Sequence, residues 1–549
     1  VRNVVSWNAL ITGYAENEQG DKALLCFEKM KKEGVSPNTV TFLCCLKACA
    51  SVETVEKARE LHASIVKKGF LEDDYIGSAL VDVYAKCRSI ADARSVFNEL
   101  SSQNVVSWTA LIVGYTDCGQ SEDALNCFKE MQFKGFCSAT LTLICTLKAC
   151  SNTRYISKGQ EIHAEVERKG FLEGNILIGS TLINMYFDWA DLVKAQEIFK
   201  KLPVGNVVSW NALIAGYVKH EYAKEALDCY EEIQLDGLSA NAITYACSLR
   251  ACGIIASTDK GLEIHRTIER DGLSTDLTVG NSLIDMYAKC GMLTKAQEVF
   301  DNLIIQDSIS WNTLIAGYAQ LEGDNVFRIL DQMENEGNKP DSTTFVSILC
   351  ACNHAGLIEK AESYLIAMVK GYDIIPSVEH YTCLIESLGR AGQINKAAEL
   401  IGKLPFHPDI VMLSTFLGAC RKWANVVLGE LAFNQTIRLD YTCASAYVLM
   451  ASIFAAAGLQ EDAKRVETMR LKYAATSKKQ ANSMWVDENG IVHSFCAGDT
   501  KHPQSKEICI NVKAISVYER TYSHSRILAN ALVNTFQGEA ICIVNDVCE

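Results

Sequence analysis

The chain has little proline and no long apolar segment. Only 7 of its 549 residues are proline, although 49% are hydrophobic, and this composition suits a helical globular protein better than a disordered one. No run of eighteen apolar residues occurs, so we expect no membrane-spanning helix and no membrane partner. A glycine-rich phosphate loop, a GxSxG motif and a CxxC pair are also missing, which removes three common signatures of enzymes.

Positive charge is in deficit. Lysine and arginine total 52 against 66 acidic residues, for a net charge of −14. This balance weighs against nucleic-acid binding by bulk electrostatics. The objection applies to the molecule as a whole, because a groove can still be locally basic or can recognise bases by other means.

The 23 cysteines do not form the pattern of a small secreted protein, since they are scattered and no signal peptide is visible. Four of them recur at steps of 101, 102 and 100 residues: Cys49, Cys150, Cys252 and Cys352. Equivalent residues of successive units cannot all pair, so we expect them to be small buried apolar side chains. The chain begins with Val1 rather than methionine, and we expect any targeting peptide to lie outside this sequence.

An internal repeat organises most of the chain. Four tryptophans recur at steps of 101, 102 and 101 residues: Trp7, Trp108, Trp210 and Trp311. Within each long period the sequence divides into three shorter units, which start at residues 4, 39, 74, 105, 140, 176, 207, 242, 277, 308, 342 and 378 and continue through Asp409. Fixed periods of this length indicate a solenoid. At 549 residues the chain is also too long for one compact core.

Each unit has the pattern of two helices. In the first unit a helical face is predicted at Trp7, Leu10, Ile11 and Tyr14. A second face is predicted at Ala23, Phe27 and Met30, and Gly34 and Pro37 follow as helix-stop residues. Helices this short cannot bury their apolar faces alone, so neighbouring pairs must stack. The predicted fold class is all-α.

One polar residue beside each tryptophan is a candidate for function. On a helical wheel Asn8 lies about 100° from Trp7, on the flank of the core face, and Val5 lies about 160° away. Equivalent residues are Thr109, Asn211 and Asn312 for the first position, and Val106, Val208 and Ile309 for the second. In isolation these are ordinary solvated residues beside a valine that staples the helix entry. Repeated in register, they would form a row suited to a linear, regularly spaced partner.

The segments beginning "VVSWNALITGYAENEQGDKALLCFEKM", "TVTFLCCLKACASVETVEKARELHASI" and "GSALVDVYAKCRSIADARSVFNEL" resemble the P, L and S motifs of plant-type pentatricopeptide repeat proteins of the PLS subclass. The resemblance implies a right-handed α-solenoid superhelix of two-helix repeats. Residues 4–409 would hold about twelve P, L and S repeats, 410–481 the helical E1 and E2 motifs, and 482–549 a degenerate partial DYW-like region, a short α/β remnant.

The resemblance also implies a function, because this family binds single-stranded organellar RNA at roughly one base per repeat. The fifth and last residues of a repeat recognise the base. The implied RNA-binding pairs are Asn8/Asn38, Ser78/Asn104, Thr109/Ala139, Ser180/Asn206, Asn211/Asn241, Asn281/Asp307, Asn312/Asp341 and Thr382/Asp409. By analogy they specify a pyrimidine, A, an unassigned base, A, a pyrimidine, U, U and G. Thr109/Ala139 departs from the family code, and the apolar fifth residues of the L motifs should discriminate weakly: Leu43, Ile144, Ala246 and Val346.

The C-terminal region resembles the start of the family's zinc cytidine deaminase, whose chemistry needs one histidine and two cysteines on zinc and a glutamate to move protons. Only His524 and Cys548 remain as vestigial zinc ligands, and Arg526 stands where the glutamate belongs. We therefore expect no catalytic residues, no active deaminase and no cofactor, with zinc bound only if the tail were intact. The H-x-E of His163 and Glu165 is interpreted as structural, because its repeat equivalents lack the glutamate.

Three hypotheses follow. The first is a sequence-specific RNA-binding protein of a mitochondrion or chloroplast, most simply one that recognises C-to-U editing sites for a deaminase supplied by another protein of an editing complex. The second is an active deaminase editing factor whose C-terminus is truncated here. The third is a helical-repeat scaffold for proteins, and the eroded tail also leaves open a product without function.

Overall fold

A computed structural model describes residues 3–202, 206–321, 323–473, 483–486 and 492–495. The chain divides into two compact units, Val1–Gln306 and Asp307–Glu549. In its described residues, each unit is built mainly of short helices in consecutive pairs.

The first unit contains nineteen helices in its described residues. They are α1 (Val4–Glu16), α2 (Gly20–Lys32), α3 (Thr39–Val52), α4 (Val55–Lys67), α5 (Asp74–Lys86), α6 (Ile90–Glu99), α7 (Val105–Asp117), α8 (Ser121–Phe133), α9 (Thr140–Thr153), α10 (Ile156–Arg168), α11 (Phe171–Gly174), α12 (Ile176–Asp188), α13 (Leu192–Lys201), α14 (Val207–Lys219), α15 (Ala223–Leu235), α16 (Ala242–Ile254), α17 (Thr258–Arg270), α18 (Leu277–Lys289) and α19 (Leu293–Asp301). With the four-residue α11 set aside, they form nine pairs.

The second unit contains five pairs and a short antiparallel ladder in its described residues. The helices are α20 (Ser308–Leu321), α21 (Gly323–Asn335), α22 (Ser342–Ala355), α23 (Ile358–Gly371), α24 (Val378–Arg390), α25 (Ile394–Gly402), α26 (Ile410–Lys422), α27 (Val426–Leu439), α28 (Ala444–Ala456) and α29 (Gln460–Tyr473). Strands β1 (Ser483–Val486) and β2 (Val492–Phe495) pair with Ser483 opposite Phe495.

The first helix of each pair begins where a sequence unit begins, from Val4 to Val378. Asparagine or aspartate caps set most of these starts, because a side-chain Oδ1 accepts the backbone N–H three residues on at 2.8–3.0 Å. The residues that cap these helices in this way are Asn3, Asn38, Asn104, Asn206, Asn241, Asp276, Asp307 and Asp341, and Asp409 caps the next first helix, α26. Such a cap stabilises a helix by about 1 kcal/mol.

The predicted core faces are confirmed at five of their seven residues, which are Trp7, Ile11, Ala23, Phe27 and Met30. Tyr14 is half-buried, and Leu10 is 44% exposed. The equivalent Leu111 is fully buried. The difference arises because α7 packs against α5 of the preceding pair, whereas no described helix precedes α1.

Stacking of successive first helices builds the core of each unit. Within each unit, each first helix contacts the first helix of the next pair, and most second helices contact both their own partner and the following first helix. The approach is close at Gly114 of α7, where an added Cβ would lie 2.6 Å from the Cβ of Ala85 on α5. The second helix of a pair often ends at a left-handed glycine, such as Gly34 with a φ of +74°.

The repeating cysteines are buried thiols, as expected. Cys49, Cys150, Cys252 and Cys352 are free and have no exposed surface. Burial raises the pKa of the first three thiols to about 12 and that of Cys352 to about 11. Desolvation disfavours the thiolate, so these cysteines act as small apolar core residues.

The all-α class is confirmed for the described residues apart from β1 and β2. The right-handed superhelix stays a prediction. Most of the expected C-terminal α/β remnant lies outside the described residues. Among the described helices, none combines the length and the apolar character needed to cross a membrane.

Candidate nucleic-acid interface

The last residue of one repeat is the N-cap of the next first helix, which places it beside the fifth residue of its own repeat. In the first repeat the Asn8 Nδ2 donates to the Asn38 Oδ1 at 3.0 Å. The same Oδ1 accepts the Thr41 backbone N–H at 3.0 Å. That backbone bond fixes which end of the Asn38 amide is oxygen, so the Asn8 group facing it must be the NH₂.

The same arrangement recurs in two further P repeats. Asn211 Nδ2 donates to Asn241 Oδ1 at 3.0 Å. Asn312 Nδ2 lies 3.0 and 2.9 Å from the two carboxylate oxygens of Asp341. Three predicted pairs are therefore joined by direct side-chain hydrogen bonds.

A threonine completes each of these pairs, and the sequence analysis missed it. The hydroxyl of Thr41 donates to Asn8 Oδ1 at 2.6 Å. Thr244 and Thr344 make the equivalent bonds to the fifth residue at 2.7 and 2.5 Å. All three threonines are fully buried. The signal was in the sequence, since threonine recurs at the third position of every L-motif helix: Thr41, Thr142, Thr244 and Thr344.

The second P repeat differs because Ala139 has no polar side chain. Thr109 instead donates to the Val105 carbonyl at 2.7 Å and contacts the Thr142 hydroxyl at 2.7 Å. Helix α9 lacks a side-chain cap. This repeat offers one acceptor lone pair on Thr109 and no donor, which agrees with its lack of an assigned base.

Among the S repeats, the structure joins one predicted pair. Asn104 Nδ2 donates to Ser78 Oγ at 3.1 Å, and the Ser78 hydroxyl lies 2.8 Å from the Asp74 carbonyl. Within the described part of the chain no hydrogen bond joins Ser180 to Asn206, or Thr382 to Asp409; each fifth residue bonds to its own helix. Each of these last residues caps the next helix.

The remaining pair spans the two units. Asn281 is the fifth residue of α18 in the first unit. Asp307 caps α20 in the second unit, where its Oδ1 accepts the Ser310 N–H at 2.8 Å.

The bonded pairs leave a defined set of groups for a ligand. Asn8 retains one N–H and one lone pair, and the Asn38 NH₂ adds donors. Asn312 retains the same donor and acceptor, but Asp341 adds an acceptor oxygen. Uracil presents an N3–H donor where cytosine presents an N3 acceptor. The carboxylate pair therefore suits uracil, and the amide pair suits cytosine.

Apolar side chains flank this row. The second residues Val5, Val106, Val208 and Ile309 are between 49% and 68% exposed. Tyr75 of the first S repeat is 78% exposed. These side chains point away from the core, as the helical wheel predicted, and leave apolar contact area exposed beside the polar pairs.

Three of the four L repeats carry a cation on the equivalent face, and the fourth has Cys350 there. Lys47, Lys148 and Arg250 are exposed and lie four residues after the apolar fifth position. No ion pair to them is found among the described residues. Three of the four S repeats carry an ion pair at the corresponding place, for example Asp82 with Lys86 at 2.8 Å.

The recurring histidines are structural. His62, His163 and His265 each place Nδ1 2.7–3.1 Å from a tyrosine hydroxyl of the next first helix. Burial lowers the pKa of all three imidazoles. This confirms the interpretation of the H-x-E motif at His163. Three converging histidine, cysteine or acidic side chains that could hold a metal ion are not found in the described residues, and His524 and Cys548 lie outside them.

Stacked helix pairs with a periodic row of polar pairs define a helical-repeat binding protein. The model of the PPR repeat family matches residues 2–51, 205–253 and 306–354, and the PPR repeat model matches 78–105, 106–136, 281–305, 343–371 and 379–405. A putative mitochondrial pentatricopeptide repeat-containing protein of Arabidopsis thaliana is 31% identical over 99% of this chain and 90% of its own length. The chain belongs to the pentatricopeptide repeat family.

Two further similarities are to a second relative and to a solved structure. A chloroplastic pentatricopeptide repeat-containing protein of Arabidopsis thaliana is 34% identical over 92% of this chain, which spans 58% of that relative. The crystal structure of maize PPR10 is 15% identical, with a TM-score of 0.45 over 86% of this chain and 80% of that one. Relatives whose names state a location are chloroplastic or mitochondrial, so the predicted organellar location is confirmed.

Proposed function

We propose that the protein binds single-stranded RNA in a sequence-specific manner, with one nucleotide at each P or S repeat. The observation that carries this proposal is the repeated pair of a fifth residue and a last residue, held by hydrogen bonds and left with free donors and acceptors. Three of these pairs lie in P repeats and one in an S repeat. Exposed apolar second residues beside them supply stacking surfaces. A regular row of this kind fits a polymer of planar bases.

The backbone of the RNA would meet the cations of the L repeats. Lys47, Lys148 and Arg250 lie on helices whose fifth residues cannot discriminate bases by hydrogen bonding. Their ammonium and guanidinium groups can contact phosphates, which carry no sequence information but position the strand. Local cations on this face offset the net charge of −14, which is spread over the whole chain.

We further propose that the protein acts in organellar RNA processing as a PLS-subclass editing factor. Residues 410–481, described as α26–α29 up to Tyr473, would be the E1 and E2 motifs. A deaminase supplied by another chain would convert cytidine, because Arg526 stands where a proton-transferring glutamate is needed. The protein itself would then have neither catalytic activity nor a zinc cofactor.

Direct binding tests the proposal. Fluorescence anisotropy would compare 5′-YNANNAYNUUNG-3′ RNA, where Y is a pyrimidine and N any base, with the same RNA changed at single assigned positions. Loss of two hydrogen bonds of about 0.5–1.5 kcal/mol each should weaken binding by roughly 5- to 150-fold at a bonded pair. Changes opposite L repeats should have little effect. Equal affinity for matched and shuffled RNA would refute sequence-specific binding.

The proposed phosphate contacts can be tested separately through the salt dependence of RNA binding. Replacing Lys148 with glutamine should weaken the binding of all RNAs by the same factor. It should also make the slope of log K against log salt concentration less steep by roughly 0.7. Lys86 provides the matched control, because its charge is already paired with Asp82. An unchanged slope for Lys148→Gln would remove this residue from the interface.

A further inference from the structure

We infer that the L-motif threonines are positioning residues that determine which base edge each P repeat accepts. In all four P repeats the threonine hydroxyl lies 2.5–2.7 Å from the side chain of the fifth residue. The residues are Thr41, Thr142, Thr244 and Thr344. This inference rests on the proposed RNA-binding function.

Counting protons around Thr344 shows where its hydroxyl points. Its oxygen accepts the Asp341 backbone N–H at 3.0 Å. Its single proton can go to Asn312 Oδ1 at 2.5 Å or to Asp341 Oδ1 at 3.1 Å. The Asp341 oxygen already accepts two N–H groups, so the proton belongs to Asn312.

This bond fixes the Asn312 amide at both ends. The oxygen is held by Thr344 and the nitrogen by Asp341, so the remaining lone pair and N–H face the groove in a fixed order. Without the hydroxyl, the amide would be tied only through its nitrogen to a carboxylate with two equivalent oxygens. Rotation about that single attachment would let the amide accommodate more than one base edge.

In the part of the chain that the structure describes, no such contact is found at the S repeats, although a polar residue stands at the same position of the helix that follows them. Ser107 and Ser209 occupy the third position of P-motif helices and return their hydroxyls to the backbone carbonyls of Asn104 and Asn206 at 2.9 and 3.0 Å. Fifth residues of S repeats are held instead by their own helix, as Ser78 is by Asp74. A threonine that reaches the fifth residue is therefore specific to the P repeats.

The test is base preference rather than affinity. Thr344→Val keeps the shape and removes the donor, so the preference for uracil over cytosine at the base assigned to Asn312/Asp341 should fall about five- to tenfold. Thr344→Ser should restore it. Preference for adenine at Ser78/Asn104 should stay unchanged in both variants. Ser209→Ala, which removes a buried hydroxyl with no fifth-residue contact, controls for stability.

The possible results distinguish the positioning role of the threonines from the proposed RNA-binding function. Full uracil preference in Thr344→Val, or equal loss of preference at every position, would overturn the positioning role while leaving RNA recognition intact. A wild-type chain without any base preference would overturn the proposed function itself. If Thr344→Val does not fold, Thr41→Val provides the same comparison in the first repeat, with the base at Asn8/Asn38 as the readout.

Discussion

Replacing one carboxylate oxygen of Asp341 with an NH₂ group, as in Asp341→Asn, should change the preference of its repeat from uracil to cytosine. In Asp341→Asn, the amide oxygen can keep the bonds to the Thr344 N–H and to Asn312. The second oxygen becomes an NH₂ group, as in the Asn211/Asn241 pair. Asparagine and aspartate are equally good caps, so we expect the stability of α22 to change by less than about 0.5 kcal/mol.

The magnitude follows from the lost acceptor. A hydrogen bond from uracil N3–H to a carboxylate contributes about 1.5–3 kcal/mol, and in the variant two donors would face each other at that point. Cytosine N3 would instead accept from the new NH₂. The ratio of uracil to cytosine affinity should therefore fall by about 2–3 kcal/mol, or roughly 30- to 150-fold.

Anisotropy with two RNAs that differ only at this base measures the ratio, and thermal unfolding checks that the fold is kept. The reciprocal variant Asn241→Asp should gain uracil preference by a similar factor. If both variants melted normally and kept the wild-type ratio, the pairs would not be contacting the base edge, and the chemistry assigned to them would be wrong.

Three further changes have definite expected outcomes. Ala139→Asn gives α9 the cap it lacks and should raise the free energy of unfolding by about 1 kcal/mol in urea titrations; no gain would mean that the asparagine does not cap α9. In wild type, burial lowers the pKa of His163 from 6.5, so stability should fall as the pH drops below about 6.5, since the unfolded chain takes up the proton first. His163→Leu with Tyr186→Leu, which copies Leu365 and Leu388 of the fourth period, should show a smaller fall, and an identical pH profile would contradict this. Gly114→Ala should lower the melting temperature, because its Cβ would clash with Ala85, whereas Gly13→Ala, with open space, should not.

Helix boundaries were predictable because each repeat occurs in several copies, so a start or stop residue that is missing in one copy is present in others. Every first helix through Val378 begins at the residue where the sequence unit begins. A start that is ambiguous in one copy, such as Thr140 after the non-capping Ala139, is fixed by its equivalents, which follow an asparagine or aspartate cap. Core positions were predictable for the same reason, and Leu10 failed because its burial depends on a preceding pair rather than on its own helix.

Side-chain contacts between repeats were less accessible from sequence. Spacing placed Asn8 and Asn38 in one pair, but it could not tell that Thr41 would join them, because a threonine after a cap is also an ordinary capping-box residue. Nor could it separate Ser78/Asn104, which are bonded, from Ser180/Asn206, which are not. Whether such a hydrogen bond forms depends on small shifts between neighbouring helices, and the spacing of residues in the sequence does not reveal these shifts.

The structure gives a second explanation for the asparagine or aspartate at the last position of a repeat. An asparagine or aspartate at this position fits the family's RNA code, yet helix capping alone is enough to favour such a residue there. Ala139 is informative because its repeat folds without the cap. Discrimination between an RNA and a peptide partner therefore depends on the fifth residues, which cap nothing. At three of the four P repeats an asparagine stands at that place, held by a buried threonine, with a donor and an acceptor left unused. A groove for apolar peptide side chains has no use for such groups, whereas a base edge needs both.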